Sequence, residues 1–167
     1  MPAVVDVVRP LPVAAAGGIG DGRGLVAALA LGASAAVVGT RFVATREAHG
    51  HDAYKQRLVT ANEEDTMITK AYTGKSCRVI RNAYADSWIG REQEIEPFPA
   101  QLLKHWDKME AALEGGDTEV GIMPAGQVAG LIQSVESAAD VVRSMMAEAE
   151  QILDELGALR ALEPAKR

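Results

Sequence analysis

The chain is poor in several residue types, and each shortage excludes something. Cys77 is the only cysteine among 167 residues. That excludes an internal disulfide framework and any zinc ribbon or iron–sulfur cluster held by several cysteines, and it suits a reducing, cytoplasmic setting. No uncharged apolar run is long enough to span a bilayer, so no membrane segment is expected. The first thirty positions, roughly the span of a secretory signal, lack the basic start and cleavage site of one. Basic residues number 17 against 23 acidic ones, giving a net charge of −6. A nucleic-acid binder usually carries a basic face, so that class of partner is not expected. Aromatic residues make up only 4%.

What is present is ordinary globular material, 48% apolar and 24% charged. The length is that of about one domain, at roughly 150 residues each. Glycine is skewed: of 16 in the chain, seven fall between Gly17 and Gly39. That stretch reads as strand, turn, helix, strand. Pro12, Val13, Ala14, Ala15 and Ala16 form a short run without alternation, as in a strand buried on both faces. Gly17-Gly18 ends it. Asp21 is a predicted N-cap, residues 25–31 are strong helix formers, and Gly32 stands where a helix stops. Ala35, Ala36, Val37 and Val38 form a second apolar strand, ended by Gly39-Thr40. Two such strands joined by a helix predict a parallel βαβ unit with a right-handed crossover.

Residues 47–112 are more polar and show no clear strand. Helices are predicted over 51–61 and 100–113, a turn of helix or an irregular loop over 66–81, and a loop over 87–99. A turn at 123–127 precedes a short apolar helix, 128–132. The longest predicted helix covers 137–156, with Ser137 as N-cap and a frayed tail after Gly157. Its apolar stripe at helical period predicts burial of Val142, Met145, Met146, Ala149 and Leu153.

The glycines suggest a site. In a parallel sheet the C-terminal ends of neighbouring strands share one edge. The turns Gly17-Gly18 and Gly39-Thr40 would therefore lie side by side. Glycine lets a ligand approach the backbone and lets peptide N–H groups point at it. The helix from near Gly22 would add its positive N-terminus, and Thr40 a hydroxyl donor. Together they suit a phosphate dianion, and (β/α)8 barrels often build such a site after their last two strands. The alternative is that the glycines only permit tight turns.

The stretch from Pro12 through Gly24, the run Ala27 to Ala33, and Gly39-Thr40-Arg41-Phe42 resemble the nitronate monooxygenase family, formerly 2-nitropropane dioxygenases. That family includes FMN-dependent enoyl-acyl-carrier-protein reductases. Ala125-Gly126-Gln127-Val128-Ala129-Gly130-Leu131-Ile132 resembles the family's near-C-terminal motif. The resemblance implies an α/β fold. The chain would be the C-terminal part of an FMN-binding (β/α)8 TIM barrel with a helical insert, mostly helical by residue count. It would divide into a barrel βαβ portion over 1–43, a substrate-side helical insert over 44–116, and C-terminal helices over 117–167 returning to the barrel. It also implies FMN as cofactor, with the phosphate at Gly17, Gly18, Gly39 and Thr40. Val37 and Val38 stand at the strand end leading to the second turn, where relatives commonly carry a polar residue. Gln127 would approach flavin or substrate, or else order its turn.

The implied activity is oxidation of alkyl nitronates by O2, or alternatively NAD(P)H-dependent reduction of an enoyl thioester. A non-catalytic phosphate-binding fragment, or half of a split enzyme partnered by the missing N-terminal half, is the alternative of another class. Family members are much longer. Their ring-gripping N-terminal motif and their middle histidine motif, which supplies the proposed base, find no match here, so no catalytic residue is assigned. His49, His51 and His105 read as polar residues and not as metal ligands. Cys77 lacks a partner motif for a nucleophile. Lys70, Lys75, Arg78 and Arg81 form a basic run, either substrate-facing or solvated. Tyr72, Trp88, Phe98 and Trp106 read as packing residues.

Overall fold

The computed structural model describes residues 1–160. They fall into two units: Met1–Val38 together with the long C-terminal helix, and Gly39–Ser137.

The first unit contains α1 (Pro2–Val8), β1 (Ala14–Ala16), α2 (Gly22–Ala30) and β2 (Ala35–Val37). The predicted βαβ unit is present. β1 and β2 are parallel, pairing Ala14 with Ala35, Ala15 with Ala36 and Ala16 with Val37. Asp21 caps α2, its Oδ1 accepting from Gly24 N at 2.9 Å. Gly32, at φ 95°, closes the other end. Its N–H donates to Leu29 O and that of Ala33 to Ala28 O, the paired bonds of a Schellman stop. The expectation of strands buried on both faces is corrected: Ala15 is buried, whereas Ala14, Ala16 and Val37 are exposed. A two-stranded sheet has two open edges and is covered on little more than the side where α2 packs. Nothing in the sequence reading anticipated α1.

The second unit runs α3 (Thr40–Val43), α4 (Asp52–Thr60), β3 (Thr66–Thr69), β4 (Cys77–Ile80), α5 (Ala83–Asp86), α6 (Ala100–Lys104) and α7 (Trp106–Ala111). Residues 66–81, expected to be loop or a turn of helix, form an antiparallel hairpin. Its short strands show no clean alternation of burial, so period 2 was not legible. A third backbone segment extends it: Ile80 N donates to Met123 O, and Ala125 N to Arg78 O. The helix predicted over 100–113 breaks at His105 into α6 and α7. The apolar helix expected at 128–132 is a 3-10 turn, Gln127–Leu131. Two apolar clusters fill the unit. One includes Tyr54, Leu58, Ile80, Met123 and Ile132, the other Tyr72, Val79, Trp88 and Ile122.

The final helix, α8, spans Ala138–Arg160 and belongs to the first unit. It continues through Gly157, so the frayed tail is corrected up to Arg160; strong helix formers on both sides of the glycine offset its cost, about 1 kcal/mol relative to alanine. Residues 161–167 lie outside the described residues. The predicted buried side is corrected too. Val141, Met145 and Ala149 are buried, but Val142 and Leu153 are 49% and 53% exposed, and Met146 and Leu156 are exposed as well. α8 packs on α2 through a narrow strip that includes Met145, Glu148 and Ala149. Gly22 makes the crossing so close that a Cβ there would lie 2.6 Å from Ala149 N and 2.7 Å from Met145 O. That strip leaves the rest of the apolar stripe facing out.

Candidate functional site

In the first unit the strand register sets the ends of β1 and β2 at one edge, with Gly17-Gly18 following Ala16 and Val38 following Val37. Gly17 and Gly18 have φ of 96° and 73°. Any other residue would be strained there, so the turn itself demands glycine. Space is a separate matter: a Cβ on either would meet nothing within 4 Å. The turn therefore leaves its backbone open to the approach of a ligand. Val37 is 55% exposed and Val38 half-buried, and both side chains are apolar, so only their backbone has hydrogen bonds to offer.

The helix contribution to this site is corrected. Glu148 Oε2 accepts from Gly22 N at 2.6 Å, and Asp21 Oδ1 takes Gly24 N. Two carboxylates thus occupy the N–H groups of the α2 N-terminus. Burial opposes ionisation of Asp21, but the bonds from Gly24 and Arg23 outweigh it and hold the carboxyl below its usual range. A phosphate beside this terminus would meet negative charge.

In the second unit, Gly39 has φ −103° and a Cβ on it would also meet nothing within 4 Å. Neither conformation nor packing requires glycine here, which leaves open access to the backbone as its use. Thr40 Oγ1 accepts from Gly126 N at 2.9 Å. The next residue, Arg41, is buried; it donates to Ser134 O at 3.2 Å and pairs with Glu136. Arg46 N donates to Glu136 O at 2.9 Å. Gln127 is exposed, and among the described residues its amide makes no hydrogen bond. It does not order its turn; the Gly126–Thr40 bond does. That bond, which links two motifs, was invisible to sequence reasoning because its partners are 86 positions apart.

The remaining candidates have plain roles. His49 Nε2 lies 2.7 Å from Glu114, and His51 caps α4 by accepting from Ala53 N at 3.1 Å. His105 packs edge-on against Tyr84 and Trp88, and burial pushes its pKa down. Among the described residues no three His, Cys, Asp or Glu side chains are grouped to hold a metal. Burial raises the Cys77 thiol, the opposite of activation. Arg78 donates to Thr66, Arg81 pairs with Asp86, and Lys75 lies 4.0 Å over the Phe98 ring. Lys70 lines a cavity of about 320 Å³ with Met67, Trp88 and Ile95, and a second cavity of about 280 Å³ is walled by Val43, Tyr54, Leu113 and Pro124. Tyr72 and Trp88 are core residues, while Phe98 and Trp106 are exposed. No described helix is long and apolar enough to cross a membrane.

Comparison with known proteins adds the lineage. The family model described as Nitronate monooxygenase matches residues 1–148. A Staphylococcus aureus protein named "Probable nitronate monooxygenase" is 36% identical over 127 residues, 76% of this chain and 36% of its own length. Among solved structures, FabK from Thermotoga maritima superposes with TM-score 0.82 at 37% identity, over 95% of this chain and 50% of that one. Nitroalkane oxidase from Streptomyces ansochromogenes gives TM-score 0.79 at 29% identity, over 93% of this chain and 44% of that one. The chain thus spans half or less of the length of these relatives.

Proposed function

The chain belongs to the nitronate monooxygenase family of oxidoreductases, and from that premise we propose that it forms the phosphate-holding part of an FMN-dependent (β/α)8 enzyme that oxidises alkyl nitronates with O2. The observation that carries the reading is the pair of open turns. Gly17, Gly18 and Gly39 each leave nothing within 4 Å of a would-be Cβ, and Gly39 is glycine without a conformational need for it. On this reading the backbone of these glycines and the Thr40 hydroxyl face the phosphate, and the backbone of Val37 and Val38 leads into the second turn. When bound, FMN supplies the electron acceptor for the nitronate anion. Residues 44–116 are the substrate-side insert, and Gln127 presents its amide on that reading to flavin or substrate.

Activity needs more than this chain carries. The exposed edges of the two-stranded sheet and the exposed apolar side of α8 suit contact with further β/α units. A base contributes about 10²–10⁴-fold, and no residue here matches the family's base. The isolated 167-residue chain is therefore expected to bind FMN without turnover, in the cytoplasm or in any reducing buffer.

Two measurements test the reading. Fluorescence titration should show FMN binding that Gly39→Val weakens at least about tenfold, the loss of one or more phosphate hydrogen bonds, while leaving the far-UV spectrum unchanged. Wild-type affinity in that variant overturns the site. Assays of O2 consumption with an alkyl nitronate and of NADH oxidation with an enoyl thioester should both be silent for the chain alone. Co-expression with the N-terminal half of a relative should restore the first. Restoration of the second instead would favour the enoyl-thioester reductase, the alternative that the family resemblance carries.

A further inference from the structure

Resting on the FMN reading, we infer that Thr40 is a positioning residue that ties occupancy of the phosphate turn to the placement of Gln127. The Gly126 N–H donates to Thr40 Oγ1 at 2.9 Å. A hydroxyl that accepts one bond keeps its own hydrogen to donate. The bond therefore leaves the Thr40 O–H pointing away from Gly126 and available to an anionic oxygen. Donation to such an oxygen makes the hydroxyl a better acceptor in turn, because linked hydrogen bonds polarise one another. Phosphate on the Thr40 side thus tightens the bond on the Gly126 side.

Gly126 is the N-cap of the 3-10 turn Gln127–Leu131, and no side chain caps that turn. Within it Ala129 N donates to Gly126 O at 3.0 Å, and Ile132 N to Ala129 O at 2.9 Å. Val128 and Ala129 are buried and fix the turn from below, which leaves Gln127 exposed at its start. The Gln127 amide makes no hydrogen bond among the described residues, so its direction follows the backbone at Gly126. α3 is held at both ends of the same segment, at Gly126 through Thr40, and at Ser134 and Glu136 through the buried Arg41. With Arg41 clamped, movement of the Thr40 turn is transmitted through the Gly126 bond.

The test is amide hydrogen exchange at Gly126 and across 126–132 in the full 167-residue chain, with FMN and with riboflavin, which lacks the phosphate. FMN should slow exchange at Gly126 in the wild type, and riboflavin at equal occupancy should not. Without ligand, Thr40→Val should speed Gly126 exchange by roughly five- to tenfold, the value of one hydrogen bond, and should erase the FMN effect. Thr40→Ser should restore both. Thr40→Ala carries the same expectation as valine should the valine variant fail to fold. Wild-type exchange at Gly126 in Thr40→Val, or no change on FMN saturation of the wild type, overturns the inference. Fluorescence titration run in parallel separates the two readings: absence of FMN binding sinks the cofactor assignment, and the unliganded valine–serine contrast then decides the link by itself.

Discussion

The unit Gly39–Ser137 and the unit formed by Met1–Val38 with α8 treat their large apolar side chains in opposite ways. In the former, Tyr54, Leu58, Tyr72, Ile80 and Met123 are all at most 3% exposed. They meet in two clusters to which α3, α4, α5, α7, β3 and β4 contribute. In the latter, alanines (Ala15, Ala28, Ala33 and Ala149) share the buried positions with Val5, Ile19, Val26, Val141 and Met145, while Val4, Val7, Leu11, Val37, Val142, Leu153 and Leu156 stand out in solvent. The first contrast is between a finished core and a surface built to be covered. The lesson is that the residues resembling the family most strongly, from Pro12 to Phe42, lie largely in the unit that cannot satisfy its own apolar surface.

Substitutions can break this comparison. The largest effect is expected at Leu58, fully buried in the second unit: Leu58→Ala should cost about 2–5 kcal/mol by denaturant melting. A cost near zero would mean that the second unit's core is not what stabilises it. Next is Gly22, where α2 crosses α8. Its Cβ would strike the backbone at Ala149 N and Met145 O as well as Glu148 Cβ, and backbone yields less than a side-chain tip. Gly22→Ala should cost about 1–3 kcal/mol and should loosen α8 in hydrogen exchange; an unchanged melt would show that the helices separate freely. Smallest is Leu153→Ala on the outward side of α8. It should shift stability by no more than about 0.5 kcal/mol while reducing binding of a hydrophobic dye or self-association of the chain. A loss of 2 kcal/mol or more, about the cost of a core truncation, would put Leu153 in a core and overturn the comparison.

Legibility followed the range of each interaction. The Asp21 cap, the Gly32 stop and the βαβ order were readable because their partners lie within a few residues and one residue type suits each position. The hairpin of β3 and β4 was not, since strands of four residues do not repeat long enough to show a period. The stripe on α8 is legible as apolar, and of its expected buried residues Met145 and Ala149 are buried while Val142, Met146 and Leu153 are not: period 3.6 reports which residues share a face and not how wide a partner covers it. The two glycine turns were legible, but the carboxylate on the α2 N-terminus was not, because Glu148 is 126 positions from Gly22.

By itself the sequence determined local conformation and lineage: where helices start and stop, which turns need glycine at positive φ, and which family the chain belongs to. These depend on backbone sterics and on nearest-neighbour hydrogen bonds, which act over a single turn. Only the tertiary structure decided which apolar residues are covered, that open space lies beside the Gly17-Gly18 turn, and that Thr40 is joined to Gly126. Those outcomes depend on which distant segments meet, and a hydrogen bond or a van der Waals contact exists only where the folded chain brings its two partners within a few ångströms.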